Sequence, residues 1–386
     1  MKRARKVTTG RRSVLLLMGW YVHEINMGVA RYASEAGWIL DDASNPVHGV
    51  PSDWDGDGII TLLPAATPRR MITFIKKAHV PVVDLCDQHP ELKCARVLPD
   101  NRAIGRMGAE ELLGRGFQQF AFYQVDSRAA VVRERMDGFR SVVEAAGQSF
   151  SLLDYTSQWK RPDANRRMRS WLRKRLLSLP KPVAIMAQYD ADALYVIQAA
   201  LEAGLKVPGQ VAVVGADNDL IHAEHGIMPL TSVVTNRELL GYKAAELLDH
   251  LIKGGKVPKV PLRIAPGGIV VRRSSDIFAA EDPALARALA YIVGHIEHKF
   301  AIQEVVKASG ISRRVLYLKF ETYLGHPIRK EITRQRIALA KRLLRLTDEK
   351  MQTIAERCGI ETALRLNKLF HYMEKMSPSD FRKMHR

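Results

Sequence analysis

From Ser13 to about Val271 the chain alternates short apolar runs with amphipathic stretches. The apolar runs predict strands over 14–18, 58–61, 80–85, 119–123, 183–187 and 211–215. Between them, apolar residues recur every three or four positions and predict helices over 24–36, 101–115, 133–146, 191–203 and 237–252. Gly37, Gly116, Gly147 and Gly204 close four of these. Strands that alternate with helices imply βαβ units and parallel sheets with helices on both faces. About 260 residues of this pattern exceed one small doubly wound unit. They suit two lobes, with a ligand taken between them at the carboxyl ends of the strands.

Near Val271 the alternation ends. Arg272-Arg273-Ser274-Ser275-Asp276 reads as a polar connector, and Asp282-Pro283 starts a helix, with Asp as N-cap and Pro at the first helical position. Everything beyond has helical spacing. The pattern predicts a basic tail over 1–12, a ligand-binding domain over 13–274, a linker over 275–283 and an all-α domain over 284–386.

Composition narrows the class. Of 386 residues, 47% are hydrophobic and 26% charged, a soluble balance, and no apolar run approaches the ~18 residues that span a bilayer. The basic start followed by residues 14–18 resembles a secretion signal, but the apolar stretch is short and lacks a small-residue cleavage site. Cys86, Cys94 and Cys358 are few, odd in number and scattered, which argues for a reducing cytoplasm. The net charge of +18 is uneven: residues 281–386 hold 21 Lys and Arg against 12 Asp and Glu, and the first twelve residues contribute +6. A nearly neutral body with a basic end suits a polyanion partner, whose phosphates release counterions when neutralised. A generally basic protein has the same total, so charge alone does not decide.

The basic end contains one pattern twice. The first copy runs from Ile302 through Val305-Val306, Gly310, Leu316 and Phe320, the second from Met351 through Ile354-Ala355, Gly359, Leu366 and Phe370. Each has an apolar or small pair, a Gly four or five residues on, and a second helix ending Leu-x-x-x-Phe. A turn between steeply crossing helices needs a residue that tolerates positive φ. These features predict helix-turn-helix units near 302–320 and 351–370. Between them, Ile332, Ile337, Leu339, Ala340, Leu343 and Leu344 lie at helical spacing among many Arg and Lys residues, as in a brace between two reading units or a basic helix of any bundle.

On Arg336-x-x-x-Ala340-x-x-Leu343-Leu344, Ile354-Ala355-x-x-x-Gly359 and Ser377-Pro378-x-x-Phe381-Arg382, this block resembles the AraC/XylS family's DNA-binding domain. Ile360 and Leu366 stand where that family commonly has aromatics, and Lys375 where it frequently has Gly, so geometry near 370–376 is open to change. The resemblance implies that the second helix of each unit enters a major groove. Base-edge or phosphate contacts are then expected from Ser312, Arg313, Arg314 and Tyr317, and from Glu361, Thr362 and Arg365.

The body resembles the LacI/GalR-type periplasmic-binding-protein fold on Asp100-Asn101-x-x-x-Gly105, Gly116-Phe117, Arg135-x-x-Gly138-Phe139, Asp190-x-x-Ala193 and Val213-Val214-Gly215-x-Asp217-Asn218. The resulting fold class is an α/β two-lobed periplasmic-binding-protein-like domain followed by an all-α domain with two helix-turn-helix units. Fused in this order, the parts resemble regulators of the xylose-operon type. That implies control by a small sugar, xylose or a related monosaccharide, and binding to a double-stranded DNA operator. A homodimer, contact with RNA polymerase and no membrane association are expected by the same analogy. The resemblance makes Arg135, Asp217 and Asp190 hydroxyl partners and Tyr21 an aromatic against the sugar ring. Tyr189 stands where relatives often have Asn, which leaves the sugar open. For Asp190 the alternative is a helix N-cap, and for Arg135 a surface ion pair.

Asp217-x-Asp219-x-x-His222-x-Glu224-His225 has the composition of a metal site but matches no standard zinc spacing, so no metal is expected. No Gly-rich phosphate loop, nucleophile elbow or HExxH motif is present, and no catalytic residue or cofactor is expected. Two readings compete: a regulator whose sensor answers to a protein partner or non-sugar ligand, and a sugar-binding protein without DNA function. The direction of regulation stays open.

Overall fold

A computed structural model describes residues 11–43, 50, 54–156, 164–276 and 282–384. The basic tail up to residue 10 and most of the expected linker lie outside the described residues. The chain divides into two compact units: Met1–Asn101 with 128–133 and Thr235–Pro266, and the remainder, which includes the helical C-terminal region.

The first unit contains β1 (Ser13–Met18), α1 (His23–Ala36), β2 (Ile39–Asp42), β3 (Gly58–Leu62), α2 (Arg69–Lys77), β4 (Val82–Asp84) and β5 (Ala95–Pro99). It is completed by α8 (Arg237–Ile252) and β11 (Leu262–Ile264). Its six-stranded parallel sheet has the order β11-β5-β4-β3-β1-β2.

The second unit begins with α3 (Asn101–Leu113), β6 (Gln119–Gln124), α4 (Ala130–Ala145), β7 (Ser149–Asp154) and α5 (Ala164–Ser178). It continues through β8 (Val183–Ala187), α6 (Asp190–Glu202), β9 (Val211–Ala216), α7 (Leu220–Ala223), β10 (Thr231–Val234) and β12 (Gly268–Val270). Its sheet order is β12-β10-β9-β8-β6-β7, with only β12 antiparallel.

The central strands β8 and β9 are buried at every position, as parallel strands covered on both faces must be. Helices α3 and α4 cross at Gly105 and Gly138: a Cβ on either would lie about 2 Å from a backbone oxygen of the other helix. Only glycine permits that approach. Gly28 and Gly241 do the same for α1 and α8 in the first unit.

The run at 272–276 is not a loose connector. Ser274 and Ser275 are fully buried. Ser274 Oγ donates to Val213 O at 2.6 Å and accepts from Thr231 N at 2.8 Å, and Ser275 Oγ lies 2.7 Å from Thr231 Oγ1. Polar composition here reflects hydrogen bonding inside the unit rather than exposure.

After the undescribed stretch come α9 (Pro283–Gly294), α10 (Ile302–Ser309), α11 (Arg313–Leu324), α12 (Ile328–Leu346), α13 (Met351–Arg357), α14 (Ala363–Glu374) and α15 (Pro378–Met384). Asp282 caps α9 as expected, accepting from Ala284 N at 3.1 Å and Leu285 N at 3.0 Å. The long helix α12 belongs to two cores. Ile328 and Ile332 pack with Leu285, Leu289, Val305, Leu316 and Phe320. One to four turns on, Ile337, Ala340, Leu343 and Leu344 pack with Ile354, Leu366, Phe370 and Phe381.

Candidate effector site and DNA-reading helices

Arg135, Asp190 and Asp217 converge at the carboxyl ends of the second unit's strands. Arg135, on α4, is 2% exposed, which excludes a surface ion pair. Its Nη1 donates to Gln188 O at 2.7 Å, its Nη2 reaches Asp217 Oδ1 at 3.2 Å, and its guanidinium lies 5.0 Å from the Tyr189 ring centre. Asp217 follows β9 at φ 114, and Asn218 has φ 52. Such conformations cost a non-glycine residue about 1–3 kcal/mol and persist only where the surroundings impose them.

Asp190 supplies much of that constraint. Its Oδ1 accepts from Ser232 Oγ at 2.6 Å and its Oδ2 from Asp219 N at 2.8 Å. Ser232 Oγ also accepts from Asn218 N at 2.9 Å. Asp190 is therefore not the N-cap of α6. Tyr189 holds that position without a side-chain bond, while the Asp190 carboxylate turns inward. Burial, and then the Asp217 charge, push its pKa up to about 7 against these hydrogen bonds.

The loop that mimicked a metal site has other work. Asp219 caps α7 through Ile221 N at 3.0 Å, and Glu224 pairs with Arg272 at 3.0 Å. Tyr21 belongs to the first unit, beyond the carboxyl end of β1, 54% exposed beside Trp20 at 66%. Sequence reading missed Gln188, Ser232, Arg272 and Trp20; two adjacent aromatics after a strand were a usable signal for the last.

In the C-terminal region α10–α11 and α13–α14 form the two expected helix-turn-helix units. Gly310 (φ 74) and Gly359 (φ 63) make the turns. Leu316 with Phe320, and Leu366 with Phe370, point inward and leave the opposite faces of α11 and α14 exposed.

Ser312 and Thr362, expected at DNA, also cap α11 and α14. Arg314 is exposed and makes no ion pair among the described residues. Arg313 lies over the half-buried Tyr317 ring at 5.3 Å. Glu361 pairs with Lys299 and reaches Arg365 at 3.5 Å. Gln352 braces the start of α14, donating to Glu361 O at 3.2 Å and accepting from Ala363 N at 3.0 Å. Lys299 and Gln352 were not anticipated, because neither lies on a reading helix.

Exposed Arg and Thr side chains, with the half-buried Tyr317, on two helices carried by one bracing helix suit duplex grooves. Residues 109–275 match the periplasmic binding protein-like domain family and residues 305–384 a helix-turn-helix domain family. The combination defines a ligand-sensing, DNA-binding transcription regulator. The chain is 30% identical over 292 residues to the xylose operon regulatory protein of Haemophilus influenzae, covering 74% of each. It is 26% identical over 379 residues to that of Escherichia coli K12, covering 94% of each. The chain belongs to the family of xylose operon regulatory proteins. Among solved structures, a xylose-binding transcription activator shares the fold along 98% of this chain and 99% of its own (TM-score 0.60, 24% identity). The regulator CelR with cellobiose matches 68% of this chain and 85% of its own (TM-score 0.55, 26% identity). Among the described residues no helix is long and apolar enough to cross a membrane.

Proposed function

We propose that this regulator is a cytoplasmic homodimer whose second unit takes a pentose of the xylose type through Arg135 and Asp217, without catalysing any reaction on it. The carrying observation is Asp217 at φ 114 against the buried Arg135 guanidinium. A carboxylate kept in a costly backbone conformation beside a buried cation is an arrangement suited to gripping sugar hydroxyls through charge-assisted hydrogen bonds. Asp190 is assigned a positioning role, holding the Asp217 loop through Ser232 and Asp219. Tyr21 is exposed beyond the carboxyl end of β1 in the first unit. The names of the xylose operon relatives support the choice of sugar.

Arg313, Arg314 and Tyr317 on α11, with Ser312 at its cap, and Glu361, Thr362 and Arg365 on α14 are assigned to the operator. Sugar switches the protein only if it favours one arrangement of the dimer over another. Calorimetry with a panel of pentoses and hexoses tests the sensor assignment. Wild type is expected to prefer xylose, and Asp217→Ala to lose binding while its thermal unfolding stays cooperative. Normal xylose affinity in Asp217→Ala refutes the site.

A further inference from the structure

We propose that the second half of α14 carries an additional, sequence-independent DNA contact: an open surface patch formed by Asn367, Lys368, His371, Tyr372 and Lys375 that takes a backbone phosphate. The inference rests on α14 being a DNA-reading helix. Lys368, His371, Tyr372 and Lys375 stand at i, i+3, i+4 and i+7, so one stripe of the helix presents them all. All four are exposed. Neither Lys368 nor Lys375 has an acidic partner among the described residues. The nearest acid in sequence, Glu374, is held by Lys341 at 2.8 Å.

Two further observations favour an anion. The first is the conformation of Lys375, which ends α14 in the left-handed region at φ 59 with its ammonium 5.5 Å from the Tyr372 ring. At the matching position α11 ends on Gly325 at φ 68. Glycine adopts that conformation freely, whereas lysine pays for it. The second is that the stripe has no counterpart in the first unit, where the matching positions are Leu318, Glu321, Thr322 and Gly325, with no cation. The cations are thus absent from the plan the two units share.

Reach determines the occupant. From Thr362 at the start of α14, Lys368 is about 9 Å along the axis and Lys375 about 20 Å at 1.5 Å per residue. A major groove is about 12 Å wide. If the first turn meets base edges, the stripe meets the flanking strand, where every sequence offers phosphates.

Full-length wild type, Lys375→Gly, Lys375→Arg and Lys368→Ala would be titrated with a random-sequence 40-base-pair duplex over a series of salt concentrations. Lys375→Gly should bind several-fold more weakly, with the slope of log affinity against log salt reduced by about 0.9, one phosphate's worth. Its melting temperature should rise by about 2–4 °C as the left-handed strain is relieved. Lys368→Ala should weaken binding in the same way, and Lys375→Arg should keep the wild-type slope. A wild-type slope in Lys375→Gly overturns the proposal, whether Lys375 then proves a plain helix end or a contact for an acidic protein. Failure of the wild-type protein itself to bind duplex would instead remove the reading on which the proposal rests.

Discussion

Ser312 and Thr362 each cap a reading helix, and from them the two helix-turn-helix units correspond at a spacing of fifty: Leu316 with Leu366, Phe320 with Phe370, Gly325 with Lys375. The buried members agree while the surroundings differ. In the first unit the turn glycine, Gly310, has one close neighbour, the Arg287 guanidinium, which donates to Ser309 O at 2.6 Å. In the second, Gly359 is enclosed by His298 O, Ile296 O and Arg336. Arg336 Nη2 also donates to His298 O at 3.2 Å and its guanidinium lies 5.5 Å from the Phe300 ring. Lys299, from the same segment, pairs with Glu361 at the start of α14. A repeated core gives two similar units. The loop of one pressed into the turn of the other, together with shared α12, sets the angle between their reading helices.

The largest expected effect tests that docking. A Cβ on Gly359 would lie 2.7 Å from His298 O and 2.9 Å from Ile296 O, in a left-handed backbone. Alanine there must move a backbone segment, at a cost of about 3 kcal/mol. At Gly310 the Cβ meets only the end of a flexible arginine at 3.1 Å, leaving the conformational cost of about 1 kcal/mol. Chemical denaturation of both variants measures the difference. Equal losses would show that the 296–300 segment yields easily and that the two units are not locked together.

Operator affinity gives the next contrast. Among the described residues Arg314 has no ion pair to give up, so Arg314→Ala should lose about 1–3 kcal/mol of binding and relax preference at the base it reads. Arg365 shares its charge with Glu361, which is itself drawn toward Lys299. Its truncation should cost less and change the salt dependence more than the sequence preference. Competition binding with operator and scrambled duplexes separates these outcomes. A greater loss of specificity from Arg365→Ala would reverse the roles of the two units.

How much of this was legible in the sequence depended on distance along the chain. Each helix-turn-helix unit makes its defining contacts within about twenty residues, so Gly310, Phe320, Gly359 and Phe370 announced it. Interior strands with unbroken apolar runs, as in Val183–Ala187, were legible because burial on both faces demands such runs, but the interior β5, interrupted by Arg96, and β10, which opens on Thr231-Ser232, were not. Edge strands such as Ser149–Asp154, with mixed exposure, and the three-residue β11 and β12 were not. Nor was α5, whose basic residues mask its apolar spacing.

At the proposed effector site, family motifs pointed to Arg135, Asp190 and Asp217, but the groups that hold them lie far away in sequence. Ser232 is 42 positions from Asp190, and Gln188 is 53 from Arg135. Lys299 is 62 positions from Glu361. Residue patterns carry local geometry well; they do not say which distant hydroxyl or carbonyl completes a hydrogen bond.

The smallest expected effect concerns the caps themselves. Thr362 Oγ1 accepts from Arg365 N at 3.1 Å, whereas Ser312 Oγ stands 3.4 Å from Val315 N, near the limit at which a hydrogen bond retains strength. Each cap satisfies one of the N–H groups that the first turn of a helix leaves unpaired. Thr362→Ala should cost about 1 kcal/mol, and Ser312→Ala about half of that, read from urea midpoints at constant slope. The order matters more than the size. The Gln352 brace and the Lys299 pair hold residues 361–363 whether or not the cap is present, so a loss from Thr362→Ala must come from the helix end alone. If Ser312→Ala proved the costlier change, the hydroxyl would be closing a shorter bond than 3.4 Å, and the first unit would depend on its cap more than the second.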